Sequence, residues 1–211
     1  MPELQAEPND AASFVPEERS LAAVRDAAGG CRGCHLWRHA TQTVFGEGLK
    51  RARTMFVGEQ PGDQEDRQGR PFVGPAGREL DRALEAVGIQ RDEVYITNVV
   101  KHFKFEERGR RRIHQTPKRF EIDACRPWLD KELELVQPEA LVLLGATAGK
   151  GLLGSGFRIT KQRGRPIESE LAPLVTATVH PSSILRGPPE ERAAAREGLI
   201  DDLRQVADAL N

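Results

Sequence analysis

The sequence predicts a three-layer α/β domain, with a central four-stranded parallel sheet and helices on both faces. Two observations carry that expectation. Four short runs, TMFVG (54–58), VYITNVV (94–100), ALVLLG (140–145) and LVTATVH (174–180), are rich in Val, Ile, Leu and Thr. Near-continuous apolar strands of this kind are buried on both faces, as in a parallel sheet between helical layers. Helical stretches also separate most of these runs, and strand–helix alternation is the pattern of crossover units.

Taken in order, residues 1–16 contain Pro, Ala and acids without periodicity and read as a loose tail. Residues 17–211 read as a single domain, since 211 residues at 38% hydrophobic content can bury one good core. PEERSLAAVRDAAGG (16–30) reads as a helix that starts on Pro and ends on glycines. AGRELDRALEAVG (76–88) and PKRFEIDACRPWLDKELELV (117–136) are the crossover helices. The Gly- and Arg-rich interval 146–173 accommodates one short helix and a hairpin or loop, and EERAAAREGLIDDLRQVADAL (190–210) closes the fold as an amphipathic helix.

The formal net charge is −1, so no whole-molecule field recruits a polyanion, and any nucleic-acid contact must come from local clustering. Clusters exist: Lys104–Arg119 holds seven basic residues against Glu106 and Glu107, and Arg158–Arg165 holds four with no acid. No run approaches the ~20 apolar residues of a membrane helix, and the acidic opening MPELQAEPND is unlike a signal peptide. The expectation is a soluble, monomeric, cytoplasmic protein, found at the nucleoid when acting.

In open α/β sheets ligands lie outside the carboxyl ends of the strands. The segments following the four runs should therefore meet: GEQPGDQED (58–66), Asn98–His102, GATAGKG (145–151) and HPSSILR (180–186). Gly58 and Gly62 permit a tight turn and close ligand approach, and Pro61 stiffens it, so Glu59, Gln60 and Asp63 are held in place. Asn98 offers a donor and an acceptor together, matching the adjacent carbonyl and N–H of a pyrimidine edge. Phe72, in the loop GRPFVGPAG, suits a stacking platform as well as a core position. His180 follows a buried strand, with Ser182 and Ser183 available to phosphates, whereas His35 and His39 read as helix-surface residues.

Three cysteines are a poor disulfide framework and a reasonable start on a metal site. Cys31-x2-Cys34 is a half-site, Cys125 is a third ligand and His102 is the candidate fourth, for zinc or an iron–sulfur cluster; a set of buried free thiols is the other reading.

Together, GEQPG, the strand-end Asn98, HPSS and Cys-x2-Cys with Cys125 resemble the uracil-DNA glycosylase superfamily, nearest its iron–sulfur branch, from about Cys31 to the last helix. That branch usually has Lys-Cys after the second strand, where this chain has Lys101-His102. This departure, Gln60 and the basic insertion ending Arg111-Arg112-Ile113-His114 resemble the UdgX type, whose members become covalently attached to damaged DNA. The insertion usually begins with Lys where this chain has Arg110.

The resemblance implies a [4Fe-4S] cluster on Cys31, Cys34, His102 and Cys125, and a uracil pocket built from Gln60, Asp63, Phe72, Asn98 and His180. It implies excision of uracil from DNA, preferably single-stranded, with Arg110, Arg111, Arg112, Ser182 and Arg186 on phosphates. His180 would stabilise the departing uracil, and His114 would attack the sugar carbon, helped by Glu59, Gln60 and Asp63 and kept unprotonated by the nearby arginines. Two other readings stand beside this one. One is a hydrolytic, multiple-turnover iron–sulfur uracil-DNA glycosylase. The other is a metal-bearing nucleic-acid-binding module without chemistry.

Overall fold

The computed structural model describes residues 10–211. Its main sheet has five strands in the order β1-β3-β2-β6-β7: β1 is Glu47–Gly48, β2 Thr54–Gly58, β3 Tyr95–Asn98, β6 Ala140–Leu144 and β7 Leu174–Thr178. The four expected strands are all present, and they pair in parallel. The fifth, β1, is a two-residue antiparallel edge on β3, too short to leave a periodic signal in sequence. β4 (Phe105–Arg108) and β5 (Arg111–His114) form a separate antiparallel hairpin. Its turn is Gly109-Arg110, and Gly109 has φ +61°, where a side chain is strained.

Strand side chains alternate between two cores. Met55 and Val57 of β2 join Leu141, Leu143, Val24, Ile122, Trp128 and Leu129 on one face. That face is covered by α1 (Leu21–Ala28), α4 (Arg119–Val136) and α5 (Ala146–Leu153). Phe56 points the other way, to Leu80, Leu84, Leu199 and Leu203, under α3 (Pro75–Ala86) and α8 (Arg192–Leu210). Short helices α2 (Asp63–Gln68), α6 (Ile159–Gln162) and α7 (Pro181–Arg186) complete the domain. The interval 146–173 contains α5 and α6, and no hairpin among the described residues. No described helix is long and apolar enough to cross a membrane.

The expected tail ends earlier than residue 16. Residues 1–9 lie outside the described residues, but Ala11 is buried and its N–H bonds the Ala124 carbonyl of α4 at 2.7 Å.

A charged pair lies wholly inside the first core. Lys101 Nζ meets Glu132 Oε2 at 2.5 Å, with side chains 1% and 0% exposed. The ammonium also donates to Thr97 Oγ1 (2.6 Å) and to the Asn98 carbonyl (2.7 Å). Glu132 accepts from Gly46 N, Tyr95 Oη and Thr97 Oγ1 at 2.9–3.0 Å. The network bolts α4 to the carboxyl end of β3, where the site begins. Lys101→Met alone should cost about 3–5 kcal/mol in denaturant unfolding, because it leaves an uncompensated buried carboxylate. Adding Glu132→Gln to that variant should recover most of the loss.

Candidate active site

The strand ends do converge. A cavity of about 640 Å³ is lined by Glu59, Gln60, Phe72, Asn98, His114, His180, Ser182 and Arg186, together with Glu65, Ile113, Thr116 and Thr147. Gly58 makes room for its floor: a Cβ there would lie 2.4 Å from Asn98 Oδ1 and 2.6 Å from the Phe72 ring. Phe72 itself has φ +53°, a left-handed conformation costly for a bulky residue, and it turns the ring to 5.7 Å from that of His180. Its carbonyl would lie 1.8 Å from a Cβ on residue 77, so Gly77 is required for the loop to fold back.

Asn98 Oδ1 is buried without a hydrogen-bond partner. Buried acceptors are nearly always satisfied, so this one is set for a donor from outside the chain. At His180, the Ser182 N–H donates to Nδ1 (3.2 Å), so Nδ1 carries the lone pair and the ring proton sits on Nε2. Ser182 Oγ is 2.8 Å from the same Nδ1 and accepts from Arg186 at 2.8 Å. Burial pushes His180 down to about 4, against which the Glu59 charge works, so the ring is a neutral donor at physiological pH.

His114, at the end of β5, is half exposed at the cavity mouth, with Nε2 3.0 Å from Glu59 Oε1. The contact is close but poorly aligned, and Oε1 has no hydrogen bond of good geometry. Burial alone pushes the Glu59 carboxyl up, but the polar side chains of His114 and Thr147 beside it and the electrostatic influence of His114 and His180 outweigh it, leaving the group below the usual carboxylate range. Thr147 was not singled out in sequence; its signal was its place in the GATAGKG segment after β6.

Three expected roles shift. The Gln60 amide is committed to the base of the hairpin: Nε2 donates to the carbonyls of Lys104 (3.1 Å) and Gln115 (3.0 Å), and Oε1 accepts from Lys104 N (3.0 Å). Arg112 turns inward, only 13% exposed, and pairs with Asp63 (2.5 Å) and Asp66 (2.6 Å). Its guanidinium lies 5.4 and 5.0 Å from the rings of Phe103 and Phe105. Asp63 pairs with Arg67 as well and is not on the cavity wall. The charged group nearest the His114 ring is therefore the Glu59 carboxylate, with Arg112 neutralised by aspartates. Arg110 and Arg111 remain exposed on the hairpin. In the other basic cluster, Arg163 pairs with Asp202, and Arg158 bonds the carbonyls of Ser155 and Phe157.

Cys31, Cys34 and Cys125 are buried and free. Cys31 Sγ accepts from Gly33 N and Trp128 Nε1 (3.4 and 3.2 Å), and Cys125 Sγ from Lys101 N (3.3 Å). Burial pushes the Cys125 thiol up to about 12. Among the described residues, no three metal-capable side chains stand within joint coordinating reach. Buried His102 donates from Nε2 to Thr43 Oγ1 (2.9 Å), whose own proton goes to the Ala28 carbonyl, so Nδ1 keeps its lone pair.

A neutral histidine, an unpartnered amide oxygen and an aromatic ring thus share one cavity at the strand ends of an α/β sheet. The profile of the Uracil DNA glycosylase superfamily matches residues 45–204, and the chain belongs to that superfamily. The chain is 40% identical over 190 residues to a type-4 uracil-DNA glycosylase of Thermotoga maritima, covering 90% of this chain and 94% of that one. It is 39% identical over 179 residues to the type-4 enzyme of Sulfurisphaera tokodaii, covering 80% and 77%. The crystal structure of Pedobacter heparinus SMUG2 superposes with a TM-score of 0.53 at 15% identity, over 76% of each chain, a likeness of fold.

Because the ring of His180 is held neutral in the folded chain, the unfolded chain takes up a proton that the folded one refuses as pH falls from 6.5 toward 4. The stabilisation is complete above pH 6.5 and is lost progressively below it. Unfolding free energy should fall by about 1–2 kcal/mol more between pH 7.5 and 5 in the parent than in His180→Asn.

Proposed function

We propose that the chain is a uracil-DNA glycosylase that acts preferably on single strands and whose His114 captures the sugar it exposes. The observation that carries the capture is the imidazole at the cavity mouth, 3.0 Å from the Glu59 carboxylate. A base within a duplex is out of reach, so the nucleotide is flipped or already unpaired. Phe72 stacks on the extruded base, and Asn98 Oδ1 accepts the uracil N3–H. Arg110, Arg111, Ser182 and Arg186 hold phosphates, giving salt-dependent binding without sequence preference; Arg112, bound to its aspartates, does not take part.

As the glycosidic bond breaks, its electron pair leaves with uracil. The Nε2–H of His180 donates to the uracil oxygen that gains charge, an interaction whose removal costs on the order of 2.7–4 kcal/mol in comparable transition states. An imidazole nitrogen of His114 forms the new bond to the sugar carbon, and Glu59 accepts the ring proton. An N-alkylated imidazole is a poor leaving group, so each molecule acts once.

Water in place of His114 gives the second reading, a hydrolytic, multiple-turnover iron–sulfur enzyme. The comparisons taken alone back that reading better, since relatives at 34–40% identity are named type-4 uracil-DNA glycosylases. A denaturing gel with uracil-containing single-stranded DNA separates the two. Capture predicts a band at the summed mass that survives heat and detergent and disappears in His114→Ser. Free abasic strand with unshifted protein rules capture out.

Cys31, Cys34, Cys125 and His102 fit a [4Fe-4S] cluster by chemistry: soft, buried sulfurs already receiving N–H donors, and a neutral imidazole with a free Nδ1. Held by these four residues, a cluster would tie the Cys31–Cys34 loop to α4 as a structural staple, and base excision would ask no redox step of it. The purified protein should be brown and contain about four irons and four sulfides; a colourless protein with one zinc refutes the assignment.

A further inference from the structure

One exposed region outside the cavity combines aromatic rings with unopposed cations. Phe120, at the start of α4, is 53% exposed, one of two large apolar side chains so presented among the described residues. Its ring lies 6.0 Å from that of His35, tilted by 30°. His35 belongs to the short helix His35–Arg38, whose Trp37 ring carries the guanidiniums of Arg32 and Arg38 at 4.9 and 5.8 Å. Among the described residues neither arginine has an ion-pair partner, and Lys118 is exposed beside Phe120, while Arg119 is paired with Asp123.

The region adjoins the cavity. His35 Nε2 is 3.3 Å from Glu121 Oε1, and the other oxygen of Glu121 takes the Lys104 ammonium at 2.8 Å. Lys104 also donates to the carbonyl of Thr116, which lines the cavity. From Thr116 to Phe120 is four residues, at most about 14 Å of chain. That is roughly four steps at the 3.4 Å rise of a DNA strand.

We infer that Phe120, backed by His35, is a stacking platform for an unpaired base flanking the uracil, with Lys118, Arg32 and Arg38 receiving the phosphates of the same strand. This inference rests on the glycosylase reading and adds to it a physical source for single-strand preference. Stacking on an aromatic side chain is tolerant of base identity and needs a base whose face is open, which a duplex does not offer. A purely electrostatic surface does not make that distinction.

The test uses DNA without uracil, so that the cavity chemistry plays no part. Binding of the full chain to a labelled 15-nucleotide oligothymidylate is compared with binding to a thymine–adenine duplex of the same length. Phe120→Ala and Phe120→Leu should each weaken oligothymidylate binding about tenfold, leave duplex binding within twofold, and keep the parent's melting temperature. Phe120→Tyr should restore parental affinity. Equal loss on both DNAs, or no loss in Phe120→Leu, overturns the inference. Oligothymidylate binding that depends on Phe120 in a protein that releases no uracil leaves the platform standing and removes the glycosylase reading instead.

Discussion

The position of His114 depends on how a small, polar hairpin is fastened at its base. β4 and β5 are mostly exposed and contribute little to either core, so burial of apolar surface cannot fix where the ring points. Three hydrogen bonds from the Gln60 amide hold the strands' entry and exit, and Arg112 anchors the far strand through two aspartates and two aromatic rings. Because Asp66 is fully buried and also accepts from Thr41 N, the anchor ties the hairpin to the body of the domain. The GEQPG loop therefore acts at both ends of one contact: Glu59 faces the imidazole while Gln60 holds the chain that carries it.

The cavity behind that contact is organised for a neutral, planar, hydrogen-bonding ligand. Its acceptor, Asn98 Oδ1, stands where no protein donor reaches, and its donor, His180 Nε2, is set by the backbone N–H on the opposite ring nitrogen. The Asn98 main chain is held from below by the buried Lys101 ammonium, whose own backbone N–H meets Cys125 Sγ. The carboxyl end of β3 and the cysteine-bearing helix are thus parts of one continuous polar network inside an apolar core. Such a network is rigid when every member is satisfied.

Much of this was legible in the sequence. The four apolar runs read as buried strands, and parallel strands deliver their following segments to one edge, so Glu59, Asn98 and His180 meet there. The hairpin was not legible as strands, because FEER and RRIH are charged and face solvent, leaving neither an apolar run nor an alternation to detect. Side-chain type gave chemistry without direction. Gln60 has the right groups for a pyrimidine and Arg112 the right charge for phosphate, but the path of the hairpin turns both toward the protein's own backbone and carboxylates. The two-residue β1 and the packing of residues 10–16 against α4 lay below what periodicity resolves.

The most direct measurement of the central claim is mass spectrometry of the protein after incubation with uracil-containing single-stranded DNA, followed by nuclease and protease digestion. The peptide holding His114 should gain the mass of the deoxyribose remnant, with fragmentation placing it on the imidazole. A remnant on any other residue, or unmodified peptides alongside quantitative uracil release, contradicts the claim.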